Sequence, residues 1–398
     1  MKSRNNSVLF SENLILLGLF VLAGMNFKAK FFYFVFAALL VHIVMHRRIR
    51  IDRSIIWYVF FTIVYAAYAL RIGWMDTIRK FAFVGCYILG FNTMLLASEK
   101  GGARHEEQGK WLEACIASVS IGSWLHLMLN YIINQGSSGT RNTIDIWTRQ
   151  TMAATGQAAL AVLMLATGIV WFLLPRVKSM RWIGIGAVLA ILLYNLMLGG
   201  RTLIVLTGLL LLVATVYVFV NRQCSAYQKR NAAKLLIILI LCIAVVFTFN
   251  VAEVRSKLLE SNLLERFENA ENADELLEDG RMDNKIKYLK SMLKYPFGGS
   301  HMRDQYGFAH DLLLDAYDEC GMMMLISLIG ILISAFADAL SVLKRNSLAP
   351  RTKCLIICIY IAILVEFCME PIFAGMPWMF ACFALISGCI RGVVCTNE

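Results

Sequence analysis

The chain has 398 residues, of which 59% are hydrophobic and only 16% charged, against about 25% charged in ordinary soluble domains. That balance excludes a soluble globular core and indicates a polytopic membrane protein. The formal net charge of +11 is meaningful through its placement around the spans, and no nucleic-acid partner is expected from it.

A helical span needs about 20 mostly apolar residues. Twelve stretches qualify: 8–27, 29–46, 54–71, 78–97, 111–133, 151–174, 182–198, 201–220, 233–251, 319–342, 353–370 and 374–392. The second and seventh are the shortest. No small-residue cleavage site follows the first, so no cleaved signal peptide is expected. The basic turn His46–Arg53 follows the second span as an anchor. After the third come Arg71, Asp76, Arg79 and Lys80, which either pair with one another, the preferred expectation, or meet lipid phosphates. His42 and His126 lie inside spans and are expected to be packed and hydrogen-bonded. Residues 134–150, rich in Gly, Ser, Thr and Asn, form an outer loop that either borders a sugar site or is simply exposed; Trp147, Arg149 and Gln150 are its notable members. Residues 182–220 would run about 58 Å as one helix, so the helix must break at Gly199-Gly200. Arg201 then opens the eighth span, either as a snorkelling anchor or as a forked phosphate ligand. Glu366 and Glu370 stand one turn apart near the junction of the last two spans, free to pair with an arginine or to act as a base. The eleven cysteines, almost all in apolar runs, are expected to be small buried hydrophobes.

With a cytoplasmic N-terminus, the 38 Lys and Arg residues divide into 21 inside and 17 outside, nine of the latter in one long loop. Short segments therefore favour both termini inside, with residues 251–318 outside. The expected fold class is an all-α polytopic membrane protein of about twelve transmembrane helices with one large helical extracytoplasmic loop. Residues 1–250 carry helices one to nine, 251–318 the loop, and 319–398 helices ten to twelve and the tail. The first half of the loop ends in an acidic run, Glu268–Asp279, that is expected to be a solvated face.

The rest of the loop, Arg281–Gly321, concentrates the chemistry. Met282, Ile286, Leu289 and Leu293 recur at helical spacing among Lys285, Lys287, Lys290 and Lys294, the pattern of a basic amphipathic helix. Pro296 and Gly298-Gly299 stop it. His310 then heads a second apolar run. The segment suits an anionic headgroup at the bilayer surface, or equally a solvated cover over the ends of the spans.

Three patterns together resemble the O-antigen ligase/O-antigen polymerase superfamily of bacterial membrane glycosyltransferases. They are Gly200-Arg201-Thr202 entering a hydrophobic helix, Gly280-Arg281 leading to Tyr295-Pro296-Phe297-Gly298, and Ala309-His310-Asp311-Leu312 leading to Asp318-Glu319-Cys320-Gly321. Asp311 departs from the family's usual Asn. The resemblance covers roughly residues 150–330. It implies a GT-C-like architecture in the bacterial cytoplasmic membrane, with the active site facing outside. The donor would be an oligosaccharide on undecaprenyl diphosphate, and the acceptor a glycan or a second lipid-linked glycan, in the assembly of lipopolysaccharide, capsule or exopolysaccharide; a chain-length regulator is a further implied partner. Arg201 and Arg281 would bind the diphosphate in place of a metal, His310 would act as general base, and Lys285 and Asp311 would contact substrate. No cofactor and no metal are expected. A secondary transporter or lipid-linked oligosaccharide flippase is the rival expectation. It calls for two similar halves and a short central loop, and neither is evident in this sequence.

Overall fold

A computed structural model describes residues 14–99, 105–134, 142–198, 201–248 and 281–396. The N-terminal tail, Gly199-Gly200 and the first part of the long loop with its acidic run lie outside the described residues. In chain order the elements are α1 (Leu14–Gly24), α2 (Phe31–His46), α3 (Ile55–Ala67), α4 (Ala69–Ile72), α5 (Trp74–Glu99), α6 (His105–Ile133), β1 (Asn142–Ile144), β2 (Thr151–Ala153), α7 (Ala154–Leu173), α8 (Lys178–Leu198), α9 (Arg201–Val220) and α10 (Ala226–Thr248). After residue 280 come α11 (Arg281–Ser291), α12 (His301–Tyr306), α13 (Leu312–Leu343), α14 (Pro350–Met369), α15 (Ile372–Gly375) and α16 (Pro377–Cys395).

Each stretch expected to span coincides with a helix. Among the described residues, seven helices are long and apolar enough to cross a membrane: α6, α7, α8, α9, α13, α14 and α16. Helices α1, α2 and α3 are apolar but shorter. The seventh stretch is longer than expected, because α8 begins at Lys178 and carries its charged first turn into the helix. The chain is thus an all-α membrane protein in its main architecture. The addition is a small antiparallel hairpin, β1 with β2, in register Thr143 to Met152. It occupies part of the Gly/Ser/Thr/Asn-rich loop.

Contacts divide the chain into two compact units. One holds the described residues of Met1–Ser123, Gly280–Leu348 and Glu366–Glu398; the other holds those of Trp124–Asp279 and Ala349–Val365. In the second unit the hairpin is fastened by Asp145, whose carboxylate accepts from Trp147 N at 2.9 Å and Thr148 N at 2.7 Å and meets His126 Nε2 at 2.7 Å. Burial opposes ionisation of Asp145, but hydrogen bonds from His126 and Thr148 outweigh it and hold the carboxyl at about 2. His126 is therefore packed and hydrogen-bonded as expected, with a carboxylate partner that spacing along the chain does not reveal.

In the first unit, α5 and α16 approach backbone to backbone. A Cβ on Gly90 would lie 2.1 Å from Leu385 O, and one on Gly388 would lie 2.1 Å from Tyr87 O. Gly388 and Gly392 form a small-x-x-x-small face, the usual means of close helix packing where lipid removes the hydrophobic drive. Phe61, Phe83, Phe373 and Phe380 stack beside this contact. At the basic turn, Arg391 grips Asp52 with two bonds of 2.8 and 2.9 Å and Asp338 with one of 3.0 Å. Of the ten described cysteines, eight are buried, while Cys368 is exposed and Cys395 half-buried.

The boundary expected near residue 318 falls inside α13, which breaks at Gly321 with φ +76° and ψ −164°. In an unbroken helix the N–H of Met322 would bond the carbonyl of Asp318. Here Met322 N donates to Pro296 O at 2.9 Å, and Asp318 O accepts from Ser300 N at 2.7 Å. The Pro296–Ser300 turn thereby takes both halves of one missing helix bond. Only glycines permit this: a Cβ on Gly298 would sit 2.6 Å from Gly321 N, and one on Gly321 would sit 2.4 Å from Pro296 O.

Gly307 supplies a matched control, since it has φ +76° and ψ −169° but nothing within 4 Å of a built Cβ. Gly307→Ala should cost about 1–3 kcal/mol of backbone strain, and Gly321→Ala about 2 kcal/mol more from the clash with the docked turn. Thermal unfolding of the two variants in detergent measures this; equal shifts would show that the turn gives way freely. A second expectation concerns Asp52. Burial raises its pKa, but the Arg391 pair outweighs this and holds it at about 2, against an ordinary 3.8. A depressed folded value stabilises fully above the unfolded value and is lost as pH falls through the folded one. Asp52→Asn should lower the melting temperature at pH 7, with the gap narrowing below about pH 4 and closing near pH 2. A gap of constant size down to pH 2 would detach the effect from the ion pair.

Candidate active site

Four of the five residues singled out by sequence come together in the first unit. Arg281 is the first described residue of α11, and Arg281 and Lys285, one turn apart on it, reach the end of α14. Arg281 Nη1 donates to Met369 O at 2.9 Å and to Glu370 Oε1 at 3.3 Å. Lys285 Nζ donates to Cys368 O and lies 3.6 Å from Asp311 Oδ2. The contacts to Cys368, Met369 and Glu370 pin a basic helix onto the junction between α14 and α16, and that to Asp311 ties it to the cap of α13.

His310 precedes the cap of α13. Its backbone is left-handed, with φ +55°, a conformation that costs a non-glycine residue about 1 kcal/mol or more and concentrates at functional sites. The cost is met by the bonds on either side. Asp315 accepts from Ala309 N at 2.8 Å and Asp311 N at 3.2 Å. Asp311 in turn accepts from Leu313 N and Leu314 N at 3.0 and 3.3 Å, a standard N-cap whose negative charge suits the helix start. Aspartate at this position is thus a cap that also meets Lys285, and the loop around His310 is rigid without the usual Asn.

The imidazole Nδ1 of His310 lies 4.0 Å from Glu370 Oε2, with its side chain 30% exposed and that of Glu370 only 3% exposed. Glu370 therefore offers one oxygen to Arg281 and turns the other toward His310. It settles one alternative left open by sequence: Glu370 pairs with an arginine. Glu366, one turn earlier, is buried, and its carboxylate has no hydrogen-bond partner among the described residues. On the inner side of α11, Tyr288 is fully buried among Met302, Ala309, Leu314 and Tyr317 and donates to Gly307 O at 2.6 Å. Burial, with the charges of Asp318 and Asp315 nearby, pushes the Tyr288 phenol upward and keeps that proton in place.

The apolar residues Met282, Ile286 and Leu289 of α11, and Leu293 just after it, are 66, 41, 59 and 85% exposed, and Tyr288 is the residue that packs inward. Two of the cations near the outer end of the third span, Arg71 and Lys80, reach partners far along the chain, while the side chain of Asp76 lies outside the described residues. Lys80 lies 3.6 Å from Glu319, and Arg71 donates to Glu319 O at 2.6 Å and Ser300 Oγ at 3.3 Å. Glu319 had no assigned role because its partners are more than two hundred residues away in the chain.

Arg201, the fifth residue, is the first described residue of α9 in the second unit; its side chain lies outside the described residues. Trp147 packs 5.7 Å from the His126 ring, and Arg149 has a left-handed backbone in the hairpin turn, with φ +58°. No family model and no curated protein matches the chain.

Proposed function

We propose that the protein is a membrane glycosyltransferase of the O-antigen ligase/polymerase type. It would transfer an undecaprenyl-diphosphate-linked oligosaccharide to an acceptor sugar hydroxyl at the outer face of the bacterial cytoplasmic membrane. The full reading has about twelve spans, a GT-C-like arrangement, both termini in the cytoplasm and the long loop outside. The observation that carries it is Glu370, a buried carboxylate 3.3 Å from the Arg281 guanidinium and 4.0 Å from the His310 imidazole. The arginine of one quoted motif and the histidine of another thus share a single partner.

The chemistry follows from these roles. The acceptor hydroxyl attacks the anomeric carbon of the donor, the bond from that carbon to the phosphate oxygen breaks, and the diphosphate departs with the electron pair. His310 accepts the hydroxyl proton, a task suited to a side chain that titrates near neutrality. Glu370 orients the imidazole and balances the imidazolium formed. Arg281 stabilises the charge that gathers on the leaving diphosphate through forked, charge-assisted bonds, the role that the resemblance also gives to Arg201. In this reading the two guanidinium groups do the work that a divalent cation does in metal-dependent transferases.

The test is transfer by the purified protein from a lipid-linked donor, read as product on a gel. Arg281→Ala should lose on the order of 3 kcal/mol of transition-state stabilisation, roughly a hundredfold in rate, and Arg281→Lys should recover little, since an ammonium lacks the fork. His310→Ala should abolish transfer while leaving donor binding nearly intact. Glu370→Gln should reduce the rate and displace the pH–rate profile, which a purely structural role would leave unmoved. Activity should survive strong chelation; loss restored by Mg²⁺ or Mn²⁺ would return attention to the acidic run at Glu268–Asp279. Full activity in His310→Ala would remove the general-base role. Topology is checked separately. A single cysteine at Lys290, in a background without other thiols, should react with an impermeant reagent in intact spheroplasts. Reaction only after lysis would invert the map.

A further inference from the structure

The first unit encloses a second polar space, of about 540 Å³, at the foot of the docked Pro296–Ser300 turn. Its charged lining is Arg71, Arg79, Lys80 and Arg303 against Asp304 and Glu319, four cations to two carboxylates. A volume of this order is that of a small-molecule site.

How the cations are held matters more than their number. Arg71 is fixed by neutral atoms, the Glu319 carbonyl and the Ser300 hydroxyl, with its guanidinium 5.5 Å from the Tyr68 ring. Its position is set while its charge is left unspent. Lys80 is 5% exposed and lies 4.2 Å from the Tyr65 ring centre. Its carboxylate contact, Glu319 at 3.6 Å, is shared with the Tyr65 hydroxyl at 2.7 Å. The Arg303 guanidinium stands 5.5 Å from the Phe308 ring. Cations fixed by carbonyls, hydroxyls and ring faces keep their attraction for an incoming anion. Ile72 and Phe373 give one side of the space an apolar wall.

We propose that this cavity binds a phosphate ester carrying one or two phosphoryl groups, through Arg71, Arg79, Lys80 and Arg303, as a site separate from the Arg281–Glu370–His310 group. The Arg71 and Arg303 guanidinium forks beside Lys80 suit phosphate oxygens better than a single carboxylate. The proposal rests on the cavity and not on glycosyl transfer.

The experiment uses the full-length protein in a nonionic detergent, with Arg281→Gln as background so that the other suggested phosphate contact is absent. Calorimetry measures inorganic phosphate, pyrophosphate and farnesyl diphosphate, with farnesol as neutral control. Pyrophosphate should bind more tightly than phosphate, and affinity should fall as salt rises. Adding Arg303→Gln should weaken pyrophosphate about tenfold. Adding Asp304→Asn should strengthen it roughly threefold by removing a like charge, a gain that misfolding cannot produce. Tighter binding of farnesyl diphosphate than pyrophosphate identifies a lipid-borne ligand, and equal binding a soluble one; either supports the site. Pyrophosphate binding that vanishes in Arg281→Gln alone, or that ignores both Arg303→Gln and Asp304→Asn, overturns it.

Discussion

The arrangement of the first unit depends on one exchange of backbone hydrogen bonds. Met322 N–H and Asp318 C=O, natural partners within a helix, each bond instead to the turn at Pro296–Ser300. A buried backbone group without a partner is costly, so the break and the turn require each other. The Asp318 carboxylate then caps the next short helix, accepting from Met302 N and Arg303 N at 2.9 and 3.1 Å. Tyr68 adds a bond to Phe297 O at 2.8 Å from the far side. Two glycine motifs separated in sequence, Pro-Phe-Gly-Gly and Asp-Glu-Cys-Gly, are thus the two faces of one contact. That contact fixes where Glu319 enters the cationic cavity and where Arg303 stands over it.

The candidate active site sits on the same scaffold but is governed by a different constraint. A carboxylate as buried as Glu370 has to be compensated by opposite charge or hydrogen bonds, and Arg281 supplies both. Holding Arg281 there commits its Nη1 to Met369 O and Glu370 Oε1. The left-handed backbone of His310 and the Asp311 cap reinforce the geometry from the second motif. The imidazole therefore owes its orientation to the chain on which it sits as much as to the carboxylate it faces.

What the sequence made legible was local. Apolar runs long enough to be helices became helices, and Pro296 with Gly298 followed the end of one. Amphipathic periodicity placed α11, but a period tells which residues share a side and not which side the protein covers. Tyr288, a polar-tipped aromatic, won the buried position. Pairings escaped for the opposite reason. Lys80 with Glu319 and His126 with Asp145 are set by how helices and loops pack, and nothing in the spacing of those residues announces a partner. The hairpin at Asn142–Ala153 is short, and its stability comes from Asp145 side-chain bonds rather than from strand pattern.

Helix breaks are ordinarily expensive where lipid replaces water, because freed N–H and C=O groups have nothing else to bond. The break at Gly321 offsets that penalty where it is documented: the bond missing between Met322 N and Asp318 O is replaced by two bonds to the turn. Such a junction is indifferent to the dielectric around it. It can lie at the depth where hydrocarbon begins, letting one continuous stretch of chain serve as a span at one end and as scaffold for a polar site at the other.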